Sequence, residues 1–320
     1  MQTVWIAGGA GFIGSHLCEK LLAEGYQVVC IDNLITGNQE NIRSFLEHPS
    51  FSFIHQDIIR FTLIEAKNLP KPDFIFHLAS PASPSKYSKT SYINYPIETL
   101  LVNSIGTYNL LEITKSSNAR FLFASTSEVY GDPLVSPQPE SYFGNVNSIG
   151  VRSVYDEGKR FGEALTMSYV RKYSVDARIA RIFNTYGPRM LEDDGRVVSN
   201  FIVQAIQNKP LTVYGKGEQT RSFCYISDMI DGLKLLMFKD SIKGEVVNLG
   251  NPNEKKISDF ATIVQETMQS RSQIIFEDLP EDDPKKRKPD ITKAMQLLNW
   301  EPKVGLEEGL RKTIEYFNSL

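Results

Sequence analysis

Cysteine is scarce in this chain: Cys18, Cys30 and Cys224 are all it has in 320 residues, and no two form a C-x-x-C pair. That usage excludes a disulfide framework and a structural zinc site, and no metal is expected; it is the usage of a reducing, cytoplasmic compartment. Long apolar runs are missing too. No stretch reaches the roughly 18 uninterrupted apolar residues of a membrane-spanning helix, and the opening "MQTVWIAGGAGFIGSH" has no basic leader, so neither a secreted nor a membrane protein is expected. A basic excess is also absent. The formal net charge of -3 disfavours nucleic acid and anionic membranes as partners, because both select a basic face. A small-molecule ligand is the expectation that remains.

What is present is alternation. Short apolar, β-branched runs at 4–8, 26–32, 51–57, 73–79, 119–126 and 176–184 are separated by longer helical patterns. Continuous apolar strands spaced by helices indicate a parallel sheet covered on both faces, hence an α/β, doubly wound Rossmann domain. Beyond Pro188 the pattern is mixed, with strand-like "LTVYG" (211–215), "SFCYISD" (222–228) and "EVVNLGN" (245–251) and a closing helix at 306–320. The expected division is a nucleotide-binding domain over 1–187 and a smaller C-terminal α/β substrate domain over 188–320, some of whose segments interleave with the first. No internal repeat or low-complexity segment interrupts it.

The first run leads into "AGGAGFIGSHL", with glycines at 8, 9, 11 and 14, and Gly9, Gly11 and Gly14 satisfy G-x-G-x-x-G. Without Cβ atoms this backbone can turn tightly and approach a pyrophosphate, whose charge then sits at the following helix N-terminus. Asp32 closes the second strand 18 residues after Gly14, where a carboxylate can accept from both ribose hydroxyls. A carboxylate there repels a 2′-phosphate, and no Arg or Lys stands between Asp32 and Arg43. NAD is therefore favoured over NADP. Asp57, after the third strand, is a candidate for the adenine rim.

A second constellation is "YDEGK". Tyr155 and Lys159 stand four apart at the start of a helix expected over 155–173, which puts both on one face. A nearby ammonium favours the phenolate of a phenol, so Tyr155 is a candidate base towards an alcohol. The hydroxyl of Thr126, in "FASTSEVYG" at the end of the strand 119–126, faces the same cleft, since ligands of doubly wound sheets bind at the carboxyl ends of the strands.

Taken together, Gly8/Gly11/Gly14, Asp32, "HLAS" (77–80), Thr126, Tyr155/Lys159 and "RIFNTYGPR" (181–189) resemble the extended short-chain dehydrogenase/reductase family acting on nucleotide sugars. The resemblance covers essentially the whole chain. It implies NAD held by Gly8, Gly11, Phe12, Ile13, Gly14, Asp32, Asn33, Asp57 and Ile58 on one side. Leu78, Ala79, Ser80, Asn103, Tyr155 and Lys159 complete that site. It implies further that Tyr155 is the base on the sugar 4-hydroxyl, that Lys159 lowers its pKa while holding the nicotinamide ribose, and that Thr126 bonds the 4-oxygen.

The family divides into 4-epimerases, 4,6-dehydratases and decarboxylases, which share the first oxidation. Ser127-Glu128 follow Thr126 where dehydratases typically show Asp-Glu. Ser-Glu, with "HLASPASP" (77–84), "PLTVYGKGEQTRSF" (210–223) and "DDPKKRKPDI" (282–291), resembles the UDP-glucuronate decarboxylase branch. The reaction implied turns UDP-glucuronate into UDP-xylose through a C4-ketone; the alternative is a 4-epimerase or, less favoured, a 4,6-dehydratase of a UDP-sugar or UDP-uronic acid. In that reading Ser127 and Glu128 lie beside the ring and carboxylate, with Glu128 ordering the protonating water or helping the ring distort. Arg287 is the cation near the sugar and diphosphate, whereas Lys285, Lys286 and Lys288 are a solvated patch. Pro81, Ser83, Asn184, Arg189, Val198 and Asn200 are expected around the substrate. Thr212, Tyr214, Gln219 and Arg221 complete its nucleotide end. Two departures stand out: the segment 87–95 is longer than usual, and Leu101 stands where many decarboxylases carry a substrate-reaching Lys. Helices expected over 96–117 and 155–173 pair across a two-fold axis in this family, so a homodimer through a four-helix bundle is expected.

Overall fold

The computed structural model describes residues 1–278 and 286–320. Its first half alternates as the apolar runs require. Strands β1 (Thr3–Ala7), β2 (Gln27–Asp32), β3 (Phe51–His55), β4 (Phe74–His77), β5 (Arg120–Thr126) and β6 (Ala177–Ile182) are joined by helices α1 (Phe12–Ala23), α2 (Leu63–Ala66), α3 (Pro96–Leu101), α4 (Thr107–Ser117) and α5 (Ser153–Tyr173). A single π-turn, Val102–Gly106, runs α3 into α4. The strands lie in the order β3-β2-β1-β4-β5-β6, all parallel. All five residues of β1 are buried, which is why they read as an unbroken apolar run rather than an alternating one. The order reverses between β1 and β4, and loops leaving those two strands in opposite directions open a crevice at their carboxyl ends.

The second half is shared between two layers. β7 (Thr185–Tyr186), α6 (Val197–Ile206), β8 (Leu211–Tyr214), β9 (Thr220–Ser222) and β10 (Cys224–Tyr225) build the smaller lobe. Then α7 (Ile226–Phe238) returns, and β11 (Val246–Leu249) pairs with β6 as the seventh strand of the main sheet. Interleaving thus falls on 226–249. The run 222–228, strand-like in sequence, is strand only at Cys224–Tyr225 before α7 begins. Ile226, Met229, Ile230 and Leu233 are buried at helical spacing, and Asp228 accepts the backbone N–H groups of Lys303 (3.0 Å) and Val304 (2.9 Å). The lobe is finished by β12 (Glu254–Lys256), α8 (Ile257–Thr267), β13 (Ile274–Glu277), β14 (Lys286–Arg287), α9 (Thr292–Leu298) and α10 (Leu306–Asn318). β13 pairs with β8 and β14 with β9, bringing Arg287 to the mouth of the crevice. Lys286 is exposed; Lys285 lies outside the described residues.

Candidate active site

The carboxyl ends of β1, β2, β4 and β5 open into a cleft of about 1340 Å³ that continues between the sheet and the smaller lobe. Its first wall is the glycine turn. Gly8 has φ +83°, and a Cβ there would stand 2.6 Å from the Ala79 nitrogen; one on Gly14 would stand 2.1 Å from the Gly8 oxygen. Only glycine lets these three backbones touch. The cap of α1 is Gly11, with no side-chain capping bond, so the first-turn amides have no capping side chain competing with a ligand phosphate. Phe12 and Ile13 line the cleft beside them.

Asp32 faces this turn. Its carboxylate accepts the N–H groups of Ala10 (3.0 Å) and Leu34 (2.8 Å), which fixes its orientation and leaves each oxygen a further lone pair for a ribose hydroxyl. Burial pushes its pKa up, against those two bonds. Arg43, the first basic residue after it, is exposed and pairs with Glu40. A 2′-phosphate would therefore meet only the carboxylate. Asn33, Asp57, Ile58, Leu78, Ala79 and Ser80 also line this end. The side-chain Oδ1 atoms of Asn33 and Asp57 accept the N–H groups of Ile35 (3.1 Å) and Ile59 (2.9 Å) in local turns. These residues fit NAD. Asn103 is different: it is fully buried in the π-turn, outside the cleft wall, where its Nδ2 donates to Ser80 Oγ (2.9 Å) and Thr99 O (2.9 Å). It orients Ser80, and its Oδ1 is buried without a hydrogen-bond partner.

Tyr155 and Lys159 project from α5 against the end of β5, both buried. The Tyr155 ring stacks on Tyr92 at 5.0 Å and 4°. Burial drives its pKa to about 12, and the groups that pull it down are Thr126, by hydrogen bonding, and Arg196, by charge, while Glu128 and Asp156 push it up. Thr126 and Arg196, rather than Lys159, are thus the leading groups that lower it in the free site. The Lys159 ammonium donates to Ala124 O at 2.9 Å and stands 5.8 Å from the Tyr155 ring centroid. Burial holds Lys159 itself down at about 7, with Glu163 opposing. One of its three donors is thus used on the strand, and the remaining ones are directed elsewhere in the buried site.

Thr126 caps the 3₁₀ turn Ser127–Tyr130, its hydroxyl accepting the Glu128 N–H at 3.2 Å. That turn aims Glu128 at two guanidinium groups. Oε2 accepts from Arg152 (2.5 Å) and Oε1 from Arg287. Arg287 is 2% exposed and also donates to Gly131 O (3.1 Å) and, weakly, to Ser127 Oγ (3.4 Å). Burial alone would raise the Glu128 pKa; Arg152 and Arg287 outweigh it and hold the carboxyl at about 2. Arg287, expected near the sugar and diphosphate, is half of a buried ion pair on the cleft wall. Glu128 is a fixed anion with both oxygens engaged by guanidinium groups.

The smaller lobe supplies the rest of the wall. Pro81, Ser83, Asn184, Arg189, Val198, Asn200, Thr212, Tyr214, Gln219 and Arg221 all line the cleft. Several already have local partners. Ser83 Oγ donates to Asp194 O, so its proton ties two loops together instead of meeting substrate. Arg189 Nη2 donates to Glu19 on α1 (2.7 Å), while its Nη1 is buried with no hydrogen-bond partner. Asn200 Nδ2 donates to Gly195 O (3.1 Å), Thr212 Oγ1 accepts from Gln204 (3.1 Å) and Gln219 Nε2 donates to Tyr214 O (2.8 Å). From the long segment 87–95, Tyr87, Thr90, Tyr92 and Ile93 reach the cleft. Leu101 does not line it; Glu98 and Val102 do.

Three cleft residues escaped the sequence reading: Arg152, Tyr92 and Arg196. For Arg152 a signal existed, because 152, 155 and 159 are spaced i, i+3, i+7 and share one helical face. Tyr92 and Arg196 come from loops, which carry no periodicity. Arg196 is oriented by a bidentate pair with Asp194 (2.5 and 2.7 Å).

Comparison with known proteins accords with this geometry. A family profile described as GDP-mannose 4,6 dehydratase matches residues 5–313. UDP-glucuronic acid decarboxylase 4 of Arabidopsis thaliana is 52% identical over 317 residues, 98% of this chain and 68% of that protein. UDP-glucuronic acid decarboxylase 1 of Xenopus tropicalis is 51% identical over 316 residues, 99% of this chain and 72% of that one. Among solved structures, UDP-glucuronic acid 4-epimerase from Bacillus cereus, in complex with UDP-glucuronic acid and NAD, superposes with a TM-score of 0.88 at 32% identity, covering 99% of each chain. UDP-glucose 4-epimerase from Thermotoga maritima reaches 0.90 at 31% identity, again over 99% of each. With a Rossmann crevice, an acidic ribose anchor and a Thr-Tyr-Lys set at one strand end, the chain belongs to the GDP-mannose 4,6-dehydratase family within the extended short-chain dehydrogenases/reductases.

Proposed function

We propose that this protein decarboxylates UDP-glucuronate to UDP-xylose with NAD as a recycled cofactor. The observation that carries the reading is the Arg152–Glu128–Arg287 cluster beside Thr126 and Tyr155, where a dehydratase would need an acid to expel water. The identity of about half of all residues with UDP-glucuronic acid decarboxylases supports it over the 4-epimerase alternative. Bound against Asp32, the glycine turn and Lys159, NAD supplies a hydride acceptor that takes hydrogen from sugar C4 and later returns it.

The protein's own groups do the rest. Thr126 and Tyr155 hold the 4-hydroxyl, and Tyr155 in its phenolate form accepts the proton. The resulting C4-ketone is β to the C6 carboxylate, so the C5–C6 bond can break with its electron pair delocalised into the carbonyl, releasing carbon dioxide. Arg287, Ser127 and Arg152 surround the place where that charge moves, in a buried setting where fixed dipoles and charges act strongly. C5 then takes a proton from water, and as C4 regains its hydrogen Tyr155 returns the proton to the 4-oxygen. Neither arginine is consumed. The test is a single NMR assay of UDP-glucuronate with NAD: UDP-xylose or a 4-keto pentose, with carbon dioxide, is expected. A carbon-intact product inverted at C4 would establish the epimerase instead.

The reading extends to assembly and place. Ile97 (61% exposed), Ile105, Tyr108 and Phe161 leave an apolar face on α3, the π-turn, α4 and α5, which a second copy would cover as a four-helix bundle. Sedimentation is expected to give about twice the mass of the 36.2 kDa chain; a monomer at micromolar concentration would refute it. Among the described residues no helix is long and apolar enough to cross a membrane, and all three cysteines are unpaired. A cytoplasmic location belongs to the same reading, and fractionation of tagged protein would check it.

A further inference from the structure

Asp156 has no place in the chemistry above and is not among the residues lining the cleft, yet it is a carboxyl buried to 6% exposure on α5, beside Tyr155. It follows Tyr155 on α5 and stands one helical turn from Arg152, whose carbonyl its N–H caps at 3.1 Å. Its Oδ1 is shut off from solvent with no hydrogen-bond partner. A buried ionised oxygen left bare is costly, so something other than fold stability explains it. The charged and titratable groups facing it come from each element packed there. They are Glu128 on the turn after β5, Arg152 and Glu157 with Tyr155 on α5, Arg287 on β14, and Tyr92 from the loop before α3. Arg196 faces Glu128 and Tyr155 from the opposite wall.

Glu128 is held as a permanent anion in this group. A uronate substrate brings another carboxylate to the same end of the cleft. If Asp156 were ionised, three carboxylates would crowd one buried cluster, and like charges at such range raise one another's pKa strongly. Resting on the reading that the cleft receives UDP-glucuronate, we propose that Asp156 is the specificity-setting partner of the carboxylate seat: it is occupied by a proton when the uronate binds, so that binding of the substrate carboxylate and protonation of Asp156 favour each other. Burial and the Glu128 charge already raise Asp156 to about 8, which puts the coupling within reach of ordinary buffers. By linkage the coupling is reciprocal. A raised carboxyl is neutral below its folded pKa and charged above it, so uronate affinity is full below about pH 8 and declines above it, up to tenfold per pH unit in the limit. A ligand without the carboxylate does not share that decline.

The experiment is calorimetric binding to the protein loaded with reduced NAD, which cannot accept hydride from C4 and so leaves binding as the only event, at about pH 6.5 and about pH 9, with UDP-glucuronate and UDP-glucose, in buffers of different ionisation heat. The affinity ratio favouring UDP-glucuronate is expected to fall at least about fivefold at the higher pH, with net proton uptake on binding UDP-glucuronate near pH 8 and none on binding UDP-glucose. Asp156→Asn is expected to bind UDP-glucuronate with no proton uptake and a flat ratio. An unchanged ratio in the unmodified protein overturns the proposal even if the variant fails to fold, and so does proton uptake that survives in Asp156→Asn. Because the readout is binding, a protein that binds UDP-glucuronate with this linkage but releases no carbon dioxide would sink the decarboxylase reading alone.

Discussion

Tyr155→Phe is expected to lower turnover of UDP-glucuronate by about 10²–10⁴-fold, the range of a lost general base, while leaving NAD bound and the fold intact. The ring's packing is preserved in the variant, because the stack on Tyr92 at 5.0 Å involves the aromatic face and not the hydroxyl, and such stacks contribute about 0.5–1.5 kcal/mol. What disappears is the one atom able to take the 4-hydroxyl proton. In the free site that atom is held protonated, at about 12, by burial and by Glu128, with Thr126 and Arg196 the groups that oppose. Thr126→Val is therefore expected to compound the defect less than additively, since both residues act on one proton. Rapid-quench measurement of C4 oxidation reads the effect directly. Retained oxidation would remove Tyr155 from the base role. Loss of bound NAD together with turnover would assign the effect to a disrupted cleft wall instead.

How much of this was legible in advance follows from the physics of each signal. The sheet was, because a parallel strand buried on both faces leaves an unbroken apolar run, and β1, β2, β4 and β5 each do. The glycine turn and Asp32 were, since close backbone approach and a fixed strand-to-ribose distance constrain residue type at set spacing. Thr126, Tyr155 and Lys159 were, through one strand end and one helical face. Electrostatic state was not. Whether Lys159 points at a phenol or at the Ala124 carbonyl depends on burial and rotamer, which spacing does not encode. Nor does a basic run announce that Arg287 turns inward: its parallel pairing with Arg221 in β9 decides that, across a long stretch of intervening chain. Asn103 stands behind the cleft wall for a related reason, because a π-turn shifts the face that a regular helix would present. Tyr92 and Arg196 sit on loops whose geometry only the assembled cleft defines.

Arg287→Met is expected to cut carbon dioxide release by about 10- to 100-fold, the kinetic equivalent of the roughly 1.5–3 kcal/mol of a hydrogen bond to a charged group, while leaving the oxidation of C4 comparatively intact. The separation follows from position. Arg287 contacts Glu128, Ser127 and Gly131, whereas the groups on the 4-hydroxyl are Thr126 and Tyr155. Charge moving from the C6 carboxylate into the ketone is therefore felt at Arg287, and removal of the 4-hydroxyl proton much less. The variant also breaks a buried ion pair, which costs about 3–5 kcal/mol when one partner is left behind, so a lower Tm is expected alongside. Glu128 retains Arg152, which limits that loss. Arg287→Lys separates charge from geometry: it restores a cation but not the fork that reaches Glu128 and Gly131 together, and is expected to fall between Met and the unmodified protein. Reduced cofactor appearing at 340 nm in a single turnover, with carbon dioxide trapped from the same mixture, distinguishes the steps. Reduced cofactor that accumulates while carbon dioxide lags is the expected pattern. Equal loss of both would place Arg287 in substrate binding, and undiminished release of carbon dioxide would show that the Arg152–Glu128–Arg287 cluster holds the fold and not the reacting carboxylate.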